Sequence, residues 1–285
     1  MSLGSNDLEK LELTAVKIRE DLIKSLLKAK SGHSAGPLGV VDILTALYFN
    51  ILNHDPKNPK LETRDRFILS AGHLCPVLYV TLSHVGYFEL EKLDTLRKFG
   101  SGLQGHPHNL ALPGIENSSG PLGQGISQAL GVALALKRKN LNSEVFVLGS
   151  DGEMQEGQVW EAIMFAGQKR INHLTYFIDR NNIQIDGFVD QIMGIDPLKA
   201  KLESFNWHVQ EINGHNILEI INAVDLAKAV HDKPSVIIAR TIPGKGVGFM
   251  ENKFEWHGKP PDENEAKIAL NNLRTLEGKI VSEHE

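Results

Sequence analysis

EVFVLGSDGE, residues 144–153, runs from an apolar strand signal straight into small and acidic residues. Every position from Val145 to Leu148 is apolar, which suits a strand covered on both faces and not one with every second side chain in water. The same shape recurs in LTYFIDRNN at 174–182, where the apolar run gives way to Asp179-Arg180-Asn181-Asn182. Outward along the chain, RFILS (66–70), HVQEI (208–212) and SVIIART (235–241) carry β-branched or aromatic runs, each set between segments of helical periodicity. Alternation of this kind predicts an α/β fold, a parallel sheet sandwiched by helices, with its chemistry at the C-terminal ends of the strands.

The chain opens on a helical pattern. Leu8, Leu11, Ala15, Ile18, Leu22 and Leu26 recur at steps of three and four, and Asn6 with Glu9 resembles a cap pair at the start of that helix. SGHSAGPLG then reads as a glycine-rich break, and Val40 to Leu52 as a second, nearly all-apolar helix stopped by HDPKNP. Asp196-Pro197 predicts a capping side chain followed by Pro at the first position of a later helix, and DENEAKIALNNLRTLEGK predicts a closing one. With no internal repeat or low-complexity linker, residues 1–285 are expected to form a single domain.

Composition narrows the partners. The 285 residues, 41% hydrophobic and 23% charged, suffice for one large core, and a net charge of −5 offers no basic face to nucleic acid or an anionic membrane. Cys75, the single cysteine, stands in an apolar run and is expected to be a packed thiol. MSLGSNDLEKLE is polar where a secretory leader needs an apolar run, and no stretch reaches membrane-spanning length, so the expected location is the cytoplasm. Gly244-Lys245-Gly246 lacks the Lys-Ser or Lys-Thr end of a phosphate loop, and Cys and His spacing gives no zinc site.

Two strand ends carry oxygen ligands. The Asp151 carboxylate and the Asn181 side-chain carbonyl suit a hard cation such as Mg²⁺ or Ca²⁺, and Gly152 lets backbone approach a bulky anion. Taken singly, Asp151 reads first as a helix cap and Asn181-Asn182 first as a turn; their joint placement after two strands is what points to a site. Histidines recur in glycine-rich loops at Ser31-Gly32-His33, Ala71-Gly72-His73, Gly105-His106-Pro107 and Trp256-His257-Gly258, beside a bare loop at Gly120-Pro121-Leu122-Gly123-Gln124-Gly125. Imidazoles can donate hydrogen bonds to hydroxyls and move protons near neutral pH, although any one histidine alone is an ordinary surface or core residue.

Gly152 and Asn181, with twenty-eight residues between them, resemble the G-D-G … N-N signature of thiamine-diphosphate enzymes. That resemblance implies a thiamine-diphosphate-binding fold in which Asp151, Asn181 and the Ile183 main-chain carbonyl hold Mg²⁺, with Ca²⁺ a possible substitute, and Gly152 contacts the diphosphate. Ser150 is a departure, standing where the short form of the motif has Gly. The ordered histidine and GPLGQG motifs are similar to the N-terminal domain of transketolases from about Ala15 to beyond Gly258. By that likeness Gly120, Pro121 and Leu122 lie against the cofactor rings, and His73 and His257 reach the cofactor. His33, His106 and His257 would reach a ketose donor, and Glu156 and Glu161 would lie at a subunit interface.

A complete transketolase continues with a pyrimidine-binding domain carrying the Glu that activates the cofactor, and the resemblance ends before it. The expectation is therefore a split transketolase of the pentose phosphate pathway. Its C-terminal partner subunit would bring that Glu, and an α2β2 heterotetramer would act on sugar phosphates. Two other readings stay open: the α subunit of a 2-oxoacid dehydrogenase, which shares the metal motif, and a cofactor-binding module without turnover.

Overall fold

The computed structural model describes residues 4–284. Its helices are α1 (Ser5–Ala29), α2 (Ala35–Gly39), α3 (Val41–Ala46), α4 (Cys75–Val85), α5 (Gln124–Arg138), α6 (Gly157–Lys169), α7 (Val189–Met193), α8 (Leu198–Ser204), α9 (Ile217–Ala229) and α10 (Glu263–His284). The strands are β1 (Arg66–Leu69), β2 (Val145–Ser150), β3 (Leu174–Arg180), β4 (Ile183–Gln184), β5 (Gly187–Phe188), β6 (His208–Asn213) and β7 (Ser235–Arg240). Five of them form one parallel sheet in the order β1-β2-β3-β7-β6, and β4-β5 is a separate antiparallel pair.

All five strand runs found in the sequence are strands of this sheet, and the reason is visible in its burial. Every residue of β2 and β3 is buried. Alternate side chains enter two apolar layers: Phe146, Leu148 and Phe177 pack with α1, α3, α4 and α9 on one face. Val145, Val147, Tyr176 and Ile178 pack with α5, α6 and α8 on the other. Each fully buried side chain of this size contributes roughly 1.5–3 kcal/mol of transfer free energy, so a two-sided apolar run is the sequence that best stabilises a central parallel strand. A core of this kind fixes where the strands end, and hence where the polar residues after them stand.

Helix boundaries depart from the sequence reading in three places. The first helix starts at Ser5, with Gly4 at the cap position and no side chain capping it, so Asn6 lies inside the first turn. The supposed break at SGHSAGPLG contains α2, whose glycines are there for close packing. A Cβ at Gly36 would stand 2.7 Å from the Leu74 side chain, and one at Gly39 would stand 3.2 Å from the Ile242 carbonyl oxygen. The apolar helix after it runs as α3 and then loosens into a π-helical turn over Leu47–Ile51. Third, Pro197 is the residue before α8, not its first, while Asp196 Oδ1 accepts from the Leu198 amide at 3.3 Å. The closing helix agrees with expectation, with Asp262 and Glu265 exchanging backbone-to-side-chain hydrogen bonds of 2.8 Å in a capping box. Cys75 is buried, its Sγ 3.2 Å from the Gly105 carbonyl oxygen, and burial pushes the thiol up to about 12.

Candidate active site

β2 and β3 are neighbours in the sheet, with Ser150 opposite Asp179, and the Asp151 amide continues the ladder onto the Asp179 carbonyl at 3.0 Å. The chain turns on leaving each strand, so Asp151 and Asn181 stand side by side at the C-terminal edge. Asp151 is fully buried. Its Oδ1 accepts from the Gly152 amide at 2.8 Å, and its Oδ2 accepts from the Asn182 amide and from Arg180 Nη1 at 3.1 Å. Asn181 Oδ1 accepts from the Ile183 amide at 2.9 Å and its Nδ2 donates to Asp179 Oδ2 at 2.6 Å. The local cap and turn geometries both exist; what exceeds them is the concentration of carboxylates.

Arg180, unassigned in the sequence reading, ties three of those carboxylates together. Its Nη2 donates to Asp190 Oδ1 at 2.8 Å and to Asp196 Oδ2 at 3.1 Å, besides the bond from Nη1 to Asp151. Asp179 lies behind, accepting from Thr241 Oγ1, and burial, with Asp151 adding to it, pushes its carboxyl up to about 7. Asp151 is also pushed up by burial, against the opposing pull of Asn182, Arg180 and Gly152. One guanidinium facing this set leaves the pocket short of positive charge. Asp151 Oδ1, with one protein donor, keeps a lone pair free. Among the described residues no three His, Cys, Asp or Glu side chains are placed to hold a metal ion. Asp151 with the Asn181 and Ile183 carbonyls is a different donor set, poor in charge and suited to a hard ion completed by ligand oxygens and water.

In front of these strand ends lies a cavity of about 340 Å³ whose walls include His33, His73, His106, His257, Gly120, Leu122, Gly152, Glu156 and Ile183. Residues more than two hundred positions apart in the chain meet there. The His33, His73 and His257 ring centroids lie 5.1 to 5.4 Å from one another. Each ring is held neutral: burial, then His257, Arg97 and His106, takes His33 down to about 4, and burial followed by His257, His33 and His106 takes His73 well below its usual value. His106 is lowered by burial and Arg97, and His257 by burial. Neutral imidazoles keep a lone pair for accepting a proton and an N–H for donating one.

Other sequence-named residues stand further off. Pro121 is exposed and does not line the cavity, and neither Asp151 nor Asn181 is among its lining residues, although their neighbours Gly152 and Ile183 are. Glu156 is on the cavity rim, whereas exposed Glu161 borders a separate depression with Met164 and Phe165. Gly152 borders the cavity, and a Cβ there would meet nothing nearer than Gln184 at 3.8 Å, so its bare side faces the space a ligand would fill. Ser150, Gln155, Gln184, Ile185 and Asp186 complete the wall, the last four with no sequence signature of their own.

A parallel sheet whose two central strands end beside one cavity of glycine loops and polar side chains defines an α/β cofactor-binding domain. Residues 12–275 match the family model described as transketolase, thiamine diphosphate binding domain, and the chain belongs to that family. It is 43% identical over 263 residues to the 6-deoxy-6-sulfo-D-fructose transketolase subunit SqwG of Clostridium sp. (strain MSTE9), covering 92% of this chain and 96% of that one. It is 38% identical over 276 residues to an apulose-4-phosphate transketolase subunit of Phocaeicola vulgatus, covering 97% and 98%. Among solved structures, the R525L transketolase of Pichia stipitis superposes with a TM-score of 0.87 at 31% identity, over 96% of this chain and 44% of that one. The chain thus matches transketolase subunits over nearly their whole length and spans under half of the solved transketolase. Among the described residues no helix is long and apolar enough to cross a membrane.

Proposed function

We propose that this chain is the cofactor-anchoring subunit of a two-subunit transketolase, which with a partner carrying the pyrimidine-binding domain and its Glu transfers a two-carbon ketol unit between sugars. The observation that carries the reading is the convergence of His33, His73, His106 and His257 in one cavity in front of the Asp151 and Asn181 strand ends. The subunit relatives, similar over 92% and 97% of this chain, support the need for a partner. An α2β2 assembly in the cytoplasm is part of the proposal, as is a place in pentose phosphate metabolism.

The residues present fit a divalent ion and a diphosphate. Asp151, Asn181 and the Ile183 carbonyl would hold Mg²⁺, in a pocket where three carboxylates, Asp151 buried and Asp190 and Asp196 partly exposed, share a single guanidinium. Gly152 would meet the diphosphate, while Asn181 and the Gly120-Pro121-Leu122 loop, with His73 and His257, would contact the rest of the cofactor. Thiamine diphosphate, when bound, supplies the carbon nucleophile for the donor carbonyl. His33, His106 and His257, held neutral, would orient the donor's hydroxyls and accept the proton released as its carbon–carbon bond breaks. Among the described residues no Lys or Arg lines the cavity. The terminal anion of the donor, phosphate as in one relative's name or sulfonate as in the other's, is therefore assigned to the partner. Glu156, on the rim, and Glu161 are proposed to face the second subunit.

Reconstitution tests this directly. Mixed with the partner subunit, thiamine diphosphate and Mg²⁺, the chain is expected to show ketol transfer from a ketose phosphate, and alone to show none. Full activity from the isolated chain, or pyruvate decarboxylation by the pair in place of ketol transfer, would overturn the proposal.

A further inference from the structure

Glu153 follows Gly152 and is completely buried, and no step above uses it. Its Oε1 accepts from Ser70 Oγ at 2.6 Å and from the Gly123 amide at 2.7 Å. Ser70, itself buried at the end of β1, accepts in turn from the Gly125 amide at 3.1 Å. The Glu153 amide donates back to Ser150 Oγ at 3.3 Å. One carboxylate oxygen therefore joins the ends of β1 and β2 to the start of α5, which carries the Gly120-Pro121-Leu122 loop.

The surrounding glycines show how tightly that loop is set. A Cβ at Gly125 would fall 2.5 Å from Ser70, and one at Gly72 would fall 2.7 Å from Ser119 Oγ and 2.9 Å from the Gly120 amide nitrogen. Gly123 has a left-handed φ of 84°, so its amide is turned toward Glu153 by a conformation that other residues rarely adopt. The second oxygen, Oε2, is buried without a hydrogen-bond partner, and Gly149 makes its room: a Cβ there would come within 2.4 Å of it. A carboxylate left half unsatisfied destabilises a core that an apolar side chain would fill better. What offsets that loss is the connection made by the other oxygen.

We propose that Glu153 is a positioning residue that sets the Gly120–Leu122 loop at a fixed distance from the Asp151-Gly152 turn, so that ring and diphosphate ends of one cofactor are gripped together. This rests on the function proposed above for its second arm only. The first arm is amide hydrogen exchange of the full chain without cofactor. In Glu153→Ala, exchange at Gly123 is expected to rise at least about tenfold, the loss of a hydrogen bond to a charged group, and exchange at Gly125, whose acceptor Ser70 loses its own partner, by a smaller factor. In Glu153→Gln, which keeps an acceptor oxygen, it should change by less than about threefold. Ser70→Ala covers the case in which Glu153→Ala does not fold: it should free the Gly125 amide and leave Gly123 protected. The second arm is calorimetric titration of the reconstituted pair with thiamine diphosphate at saturating Mg²⁺. Glu153→Ala should weaken uptake about tenfold, Ser70→Ala, which keeps the Gly123 bond, about threefold, and Glu153→Gln only slightly. Unchanged exchange at Gly123 in Glu153→Ala or at Gly125 in Ser70→Ala, or exchange raised with cofactor affinity untouched, would overturn the positioning role. Absence of cofactor uptake by the unsubstituted pair would overturn the functional reading, and the exchange arm would then decide the connection by itself.

Discussion

The two walls of the cavity are built on opposite electrostatic plans. At the strand ends, Asp151, Asp190 and Asp196 gather around one guanidinium, with Asp179 buried beside Asp151. Across from them, four histidines from four loops are shifted toward the neutral form by burial, with neighbouring histidines adding to it at His33 and His73 and Arg97 at His33 and His106. The first wall is short of cations and would be finished by the proposed ion. The second has its charge removed in advance, and is suited to passing protons. Changes at Asp151 should therefore move binding, and changes at His33 and His106, which are proposed to meet the donor and not the cofactor, should move turnover.

The largest separation is expected from Asp151→Ala. Removing the one buried carboxylate of the proposed metal donors should abolish Mg²⁺-dependent uptake of thiamine diphosphate by the reconstituted pair, at least roughly a 100-fold loss by calorimetry. His33→Ala should do the reverse. Ketol transfer should fall roughly 10²–10³-fold, the usual range for a lost proton-transfer group, while cofactor affinity stays within about threefold. If His33→Ala weakens cofactor uptake as much as it slows turnover, the division between the walls fails.

The two walls are also unequally legible in the sequence. The strand-end wall is local: an apolar run sets a buried strand, the strand sets where Asp151 and Asn181 emerge, and four or five adjacent residues are enough to find each. The histidine wall is legible only as motifs, because nothing in the spacing of His33, His73, His106 and His257 tells that their rings meet near 5 Å. Arg180 and Glu153 escape a sequence reading for a third reason. Arg180 finds Asp190 and Asp196 beyond a hairpin, and Glu153 finds Ser70 on another strand, so each is explained by partners its own segment does not contain. Gly36 and Gly39 look like a break because close packing and turning leave the same letter in a sequence.

Arg180 sharpens the comparison at a smaller scale. Asp190 and Asp196 are about half exposed or more and lose little when unpaired, but Asp151 is sealed from water. Arg180→Met should destabilise the metal-free chain by roughly 1–3 kcal/mol, most of it from that one stranded carboxylate. Added Mg²⁺ should then recover more stability in the variant than in the parent, since the ion has no guanidinium to share Asp151 with. Thermal unfolding with and without Mg²⁺ measures both quantities. Equal recovery would mean that Arg180 and the ion do not share the carboxylate.

The smallest effect is one of pH, and its sign separates the walls. His33 has a folded pKa of about 4, below its usual 6.5. Between those values the unfolded chain binds the extra proton, so the contribution of His33 to stability is full above pH 6.5 and is lost as pH falls toward 4. Asp179 runs the other way. Its folded pKa of about 7 stands above the ordinary carboxyl value of 3.8, so its contribution is full below 3.8 and is lost as pH rises through 7. Glu144, raised to about 7 by burial at the other end of the sheet, adds to that opposing trend. The stability of the whole chain is consequently a poor reporter, and the informative quantity is the difference between parent and His33→Asn. Denaturant unfolding at about pH 7, 5.5 and 4.5 should show the parent losing ground to the variant at each step down. A constant difference across that range would mean that His33 titrates at its ordinary value and that the wall is not held neutral.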